Sequence, residues 1–139
     1  MIQQLISVNW LAVLVCGIVL MVIGFVWYSV FGSQWSKYTG WTREKIAQST
    51  QSQMITSYGI TFLTALVSVF VLAGILHLTK TTTYPRSLAM AGLVWLGFTA
   101  APAASSTAFE RRPWGLWLIV TGNTLVSLLI SAVILCAWR

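Results

Sequence analysis

The side chains with the most chemical potential lie on two helical faces. Ser57, Thr61, Thr64 and Ser68 follow at spacings of four, three and four, and Asn123, Ser127 and Ser131 at four and four, so each set shares one face of a helix. Hydroxyls and an amide can line a hydrated seam, hold a ligand or pack between helices, but they hydrolyse nothing without an activating base. Material for such a base is scarce. The acids are Glu44 and Glu110, and the histidine is His77, with no acid near it in sequence. Cys16 and Cys136 show no metal-ligand spacing, and no phosphate loop, nucleophile elbow or carboxylate pair occurs. The chain is therefore expected to be no enzyme and to use no cofactor or metal.

The charges dictate what must position these faces. All ten charged side chains fall outside Met1–Ser36, Ile46–Thr79, Ser87–Phe109 and Pro113–Trp138. Every one of these stretches is longer than the ~20 residues that carry a helix across a ~30 Å hydrocarbon core. A soluble helix needs a polar face, whereas a bilayer penalises a mid-depth charge by ~2.5 kcal/mol or more, so the sorting is a bilayer's work. Composition agrees, with 58% of the 139 residues hydrophobic and 7% charged. The expectation is an all-α integral membrane protein: one domain, a four-transmembrane-helix bundle with spans at 9–31, 54–78, 86–108 and 114–138, in the bacterial cytoplasmic membrane. Eight bases scattered over the connections form no stripe, so the net charge of +6 points to lipid headgroups and not to nucleic acid. No Lys or Arg precedes the first span and its apolar run exceeds a signal-peptide core, so it is expected to remain in the protein.

Within the spans, Trp10 opens the first and Trp27 and Tyr28 close it, as interfacial aromatics do. Gly17 and Gly24 share a face near Ala12 and Cys16 and predict close helix packing. The loop Gly32–Gln53 carries Trp35, Tyr38 and Trp41 among Lys37, Arg43 and Lys45. It predicts a short interfacial helix over Arg43–Gln51, with Thr42 as N-cap and Glu44 complementing the first turn. In the third span Ala100–Ala108 is small throughout and Pro102 interrupts the ladder, which predicts a kink and a thin half-helix that admits neighbouring backbones or borders a cavity. Pro113 fits the first position of the fourth helix, and His77 an interfacial tip. Cys16 and Cys136 are expected unbonded.

Two polar features stand out. Glu110, Arg111 and Arg112 crowd one turn, as an exposed ion pair or as a buried anchor in which the Glu110 carboxylate accepts from an Arg or from backbone donors opening the fourth span. Asn123 is the most polar residue at mid-membrane depth, and an unpaired amide there costs ~2 kcal/mol, so its face is expected to point inward towards the hydroxyls of the second span.

Asn9-Trp10, Trp27-Tyr28-Ser29 and Phe31-Gly32 stand around the first span, Trp95-Leu96-Gly97-Phe98 in the third, and Phe109-Glu110-Arg111-Arg112-Pro113 before the fourth. In these motifs, and most specifically in the last, the chain resembles the small bacterial membrane proteins of the domain of unknown function 1761 family. In that family a Gly commonly follows the Glu, where this chain has Arg111, and an Asn lies early in the last span, where this chain has Val120. The resemblance implies a four-span architecture and brings no activity with it.

Two functions compete. One is a non-enzymatic bundle that packs with a second copy of itself or with a membrane-protein partner. The other is a small oligomeric channel or transporter built on the Ser/Thr face, the kink at Pro102 and Asn123. Four-span multidrug exporters carry an acid inside the first span, and Met1–Ser36 has none, which argues against proton-coupled export of that type. A cavity reaching Asn123 favours the transporter, and a dry core favours the packing protein.

Overall fold

A computed structural model describes residues 1–138, and it is helical wherever the charge pattern requires a span. A short helix, α1 (Ile2–Ile6), precedes Asn9, whose side-chain oxygen accepts from the amides of Leu11 (3.1 Å) and Ala12 (3.2 Å) and so starts α2 (Trp10–Thr39). This helix overruns the end expected near Phe31, since Gly32 alone does not break an apolar helix. It stops where Gly40 takes a left-handed φ of +76° and donates to Ser36 at 2.9 Å. Trp35 and Tyr38 therefore sit on the last turns of α2 and not in a surface loop.

The interfacial helix α3 (Arg43–Ala47) has the expected Thr42 cap, which accepts from the Lys45 amide at 3.2 Å, and Glu44 in its first turn. It ends before Gln51 because Thr50 and Gln53 form a capping box that restarts the chain as α4 (Gln51–Leu78). The third span starts at α5 (Tyr84–Trp95), widens to a π turn over Leu96–Ala100, and continues as α6 (Ala101–Phe109). Pro102 has no N–H for the Phe98 carbonyl and its ring crowds that oxygen, and the wider turn, with Ala101 donating to Leu96, relieves the clash. Pro113 caps α7 (Trp114–Ala137) from one position outside the helix. Four helices (Trp10–Thr39, Gln51–Leu78, Tyr84–Phe109 and Trp114–Ala137) are long and apolar enough to cross a membrane.

Packing divides the bundle into a tight half and an open half. The core joins Ala12, Val13 and Cys16 of α2, Val69, Leu72 and Leu76 of α4, Ala91 of α5, and Leu128, Ala132 and Leu135 of α7. These residues lie in the half of each span nearest the termini and the α4–α5 connection. Gly17 ends this zone, its missing side chain taken up by Leu66 of α4. In the other half α7 stays pinned to α2 and to the third span, while α4 follows α2 and meets α7 only briefly.

Two helix ends carry strain. Lys80 and Arg111 occupy the left-handed region, at φ 49° and 53°. Each completes a six-to-one closure, Thr81 N–H to Leu76 and Arg112 N–H to Thr107, at the position where glycine normally sits. Arg111→Gly should therefore raise stability in detergent by about 1 kcal/mol, the order of the left-handed penalty of a residue with a Cβ. A thermal melt checks this, and an unchanged or lowered midpoint would show that the Arg111 side chain offsets its own strain.

Candidate functional site

The open half holds a cavity of about 1180 Å³ whose surface is mostly apolar. One wall is α2 from Leu20 to Ser36, about 24 Å at ~1.5 Å per residue, which exceeds the thickness of one leaflet's hydrocarbon. The facing wall is α4 from Tyr58 to Leu72, and α7 contributes Asn123, Thr124, Ser127 and Leu128. Val94 and Thr99, the latter in the π turn, close the side of the third span. Leu20, Leu72 and Leu128 lie at the deep end. Ser33, Ser36, Thr42 and Arg43 lie at the end nearest α3.

Asn123 points inward as expected, but it does not reach a partner. Its Oδ1 is fully buried and has no hydrogen-bond partner among the described residues. The hydroxyl face of α4 does not answer it. Thr61 donates to Ser57 O (2.8 Å), Thr64 to Thr61 O (2.9 Å) and Ser68 to Thr64 O (2.9 Å), all within their own helix. Ser57, Thr61, Thr64 and Ser68 are exposed, and of the four only Thr61 and Ser68 line the cavity, across from Asn123. No interhelical hydroxyl bond joins the two faces among the described residues. The two polar faces therefore share a space and no contact. Ser131 is buried in the tight half, away from the cavity.

Three indoles hold the third span, α2 and α7 together. Trp95 donates to Thr121 O (2.8 Å), Trp117 to Ala100 O (3.2 Å) and Trp27 to Ile119 O (2.9 Å). Gly122 lets the Trp27 ring approach, and Gly115 does the same for Tyr38. These bonds fix the back wall while α4 stands away. The one available signal was Trp95, which lies mid-span, where no interface exists for an aromatic belt.

Other expectations need correction. Pro102 is exposed, and of Ala100–Ala108 only Ala100 and Thr107 are buried, so most of the thin half-helix faces outward and α7 meets it along one side. Its π turn borders the cavity instead. Gly24 lines the cavity with open space around it and does not pack with Gly17. Glu110 pairs with Arg112, yet both side chains are about half exposed, 49% and 58%, and among the described residues no backbone donor opening α7 reaches the carboxylate. It is an exposed ion pair, not a buried anchor. Glu110→Gln should change stability in a thermal melt by well under ~1 kcal/mol, no more than Glu44→Gln. A large loss confined to Glu110→Gln would restore the anchor. His77 is an exposed tip that meets Ser7 at 3.2 Å, and the two cysteines are free.

The sequence profile described as protein of unknown function (DUF1761) matches residues 11–136, and the chain belongs to that family. Neither the curated proteins nor the solved structures contain a significant match.

Proposed function

We propose that this member of the DUF1761 family is a non-enzymatic carrier that takes an amphiphilic molecule from the bilayer into the space between α2, α4 and α7. One observation carries the reading: a largely apolar cavity runs to mid-membrane depth and is lined there by Asn123, whose buried carbonyl oxygen has no partner among the described residues. An orphaned buried acceptor costs about 1–3 kcal/mol, and a turn of the Asn123 amide towards a ligand donor in the adjoining cavity would recover it. The volume, about 1180 Å³, exceeds the ~300–1,000 Å³ usual for ligand pockets, which suits an acyl chain better than an ion. Native mass spectrometry of protein released from lipid nanodiscs tests this. Each protomer should carry one retained amphiphile, and a bare protomer would contradict the proposal.

A second reading, self-association, draws on the small exposed face of α6, where Ala101, Ser105 and Ala108 would let another helix approach closely. Chemical cross-linking in membranes checks it, with a discrete dimer or trimer as the expected product and monomer alone as the contrary one.

For orientation, the bacterial cytoplasmic membrane and extracytoplasmic termini fit the charges best. Lys37, Arg43, Lys45, Arg111 and Arg112 flank the open half, against Lys80 and Arg86 at the other end; Arg139, the next residue in sequence after Trp138, lies outside the described residues. The positive-inside rule assigns the larger set to the cytoplasm. Cysteines introduced at positions 1 and 139 should react with an impermeant maleimide on intact spheroplasts, and protection of both would invert the topology.

A further inference from the structure

We infer that the cavity selects an anionic lipid of the inner leaflet, with the headgroup at Arg43 and an acyl chain running towards Leu72 and Leu128. The inference rests on the amphiphile-binding reading above and adds to it the charge of the ligand. Among the described residues Arg43 is the single charged side chain on the cavity wall, and no acid lines it. Among the described residues Arg43 has no carboxylate partner: Glu44, beside it on α3, forms no ion pair with it, and Glu110 pairs with Arg112. Hydroxyls of Ser33, Ser36 and Thr42 accompany it at the same end, while the deep end is closed by leucines. Charge is thus confined to the interfacial end, while the inner walls carry apolar side chains with the neutral polar groups of Thr61, Ser68, Asn123 and Ser127 among them. An anionic lipid confines its charge to one end in the same way. Lys37 and Lys45 flank this end in sequence, and a guanidinium offers phosphate a bidentate fork. The orientation proposed above turns this end to the cytoplasmic leaflet, which carries the anionic lipids. A neutral or cationic amphiphile would leave Arg43 uncompensated at the mouth.

The test is protein equilibrated in vesicles of equal phosphatidylglycerol and phosphatidylcholine, with retained lipid identified by native mass spectrometry. Phosphatidylglycerol should be enriched over phosphatidylcholine about fivefold, the order that one basic residue contributes at an anionic surface. Arg43→Gln should abolish the enrichment while total retained lipid stays the same, Arg43→Lys should keep most of it, and Lys37→Gln should leave it intact. Enrichment that survives in Arg43→Gln overturns the inference and spares the carrier reading. Loss of all retained lipid from the parent protein sinks the carrier reading itself. Millimolar inorganic phosphate should not displace the lipid, and displacement would mean that the site takes a free anion. A disulfide-linked dimer formed through a cysteine at Gly24, with no lipid retained, would assign the cavity to a second copy and overturn the inference.

Discussion

Gly17→Ile is expected to destabilise the bundle by about 1–3 kcal/mol, whereas Gly24→Ile, seven residues along the same face, should leave the melting midpoint near that of the parent. A Cβ at Gly17 would stand 2.5 Å from Leu66 Cδ2, 3.3 Å from Leu66 Cγ and 3.4 Å from Phe62 Cε2. Alanine there could displace the tip of Leu66 at small cost. A branched side chain cannot be accommodated this way, because the Cγ and the Phe62 ring lie behind it, and α2 and α4 must separate. At Gly24 nothing lies within 4 Å. The contrast in detergent melts measures the division of the bundle into a tight and an open half. Equal losses at both sites would mean that α4 closes on α2 along its whole length and that the open half is not a feature of the protein in solution.

The second large effect concerns ligand capture without loss of fold. Gly24→Phe places a ring in the cavity wall and should reduce retained amphiphile at least tenfold, ~1.4 kcal/mol of binding, with the melting midpoint of delipidated protein unchanged. Asn123→Leu removes a buried acceptor that has no partner, so it should hold or raise stability by up to about 1–3 kcal/mol while weakening retention. A binding residue that is costly to the fold is the signature expected of a site built for a ligand. Were Asn123→Leu to destabilise the delipidated protein, the amide would be serving the fold, and its carbonyl would have to find a protein partner in the bilayer.

The four spans and their order were legible in the sequence because mid-membrane charge is so costly that ten charged residues outline the bilayer. Helix ends were less legible, since they depend on local chemistry. The Thr50–Gln53 box was present to be read, and Gly40, not Gly32, was the glycine with a left-handed turn to make. The faces of Asn123, Thr61 and Ser68 were also readable from spacing, and they do border one space. Their separation was not readable. Periodicity says which side of a helix faces a neighbour and nothing about how far α4 leans from α7. Three indole bonds to backbone oxygens, at Ile119, Thr121 and Ala100, decide which helices stay together, and a backbone acceptor leaves no mark in sequence. Glu110 attracted attention through its scarcity, but scarcity reports on composition, while burial decides energy.

Photolabelling in the bilayer tests the central claim most directly. A phospholipid with a diazirine near the end of its acyl chain would be incorporated into nanodiscs with the protein, activated, and its adducts mapped by tandem mass spectrometry. The cavity reading predicts adducts at Leu72 and Leu128, on the buried deep wall, in addition to those on lipid-facing Leu93 and Phe98. It also predicts that Gly24→Phe removes the first pair and leaves the second unchanged. Adducts confined to Leu93, Phe98 and the rest of the outer surface, with the deep wall unlabelled in the parent protein, would contradict it.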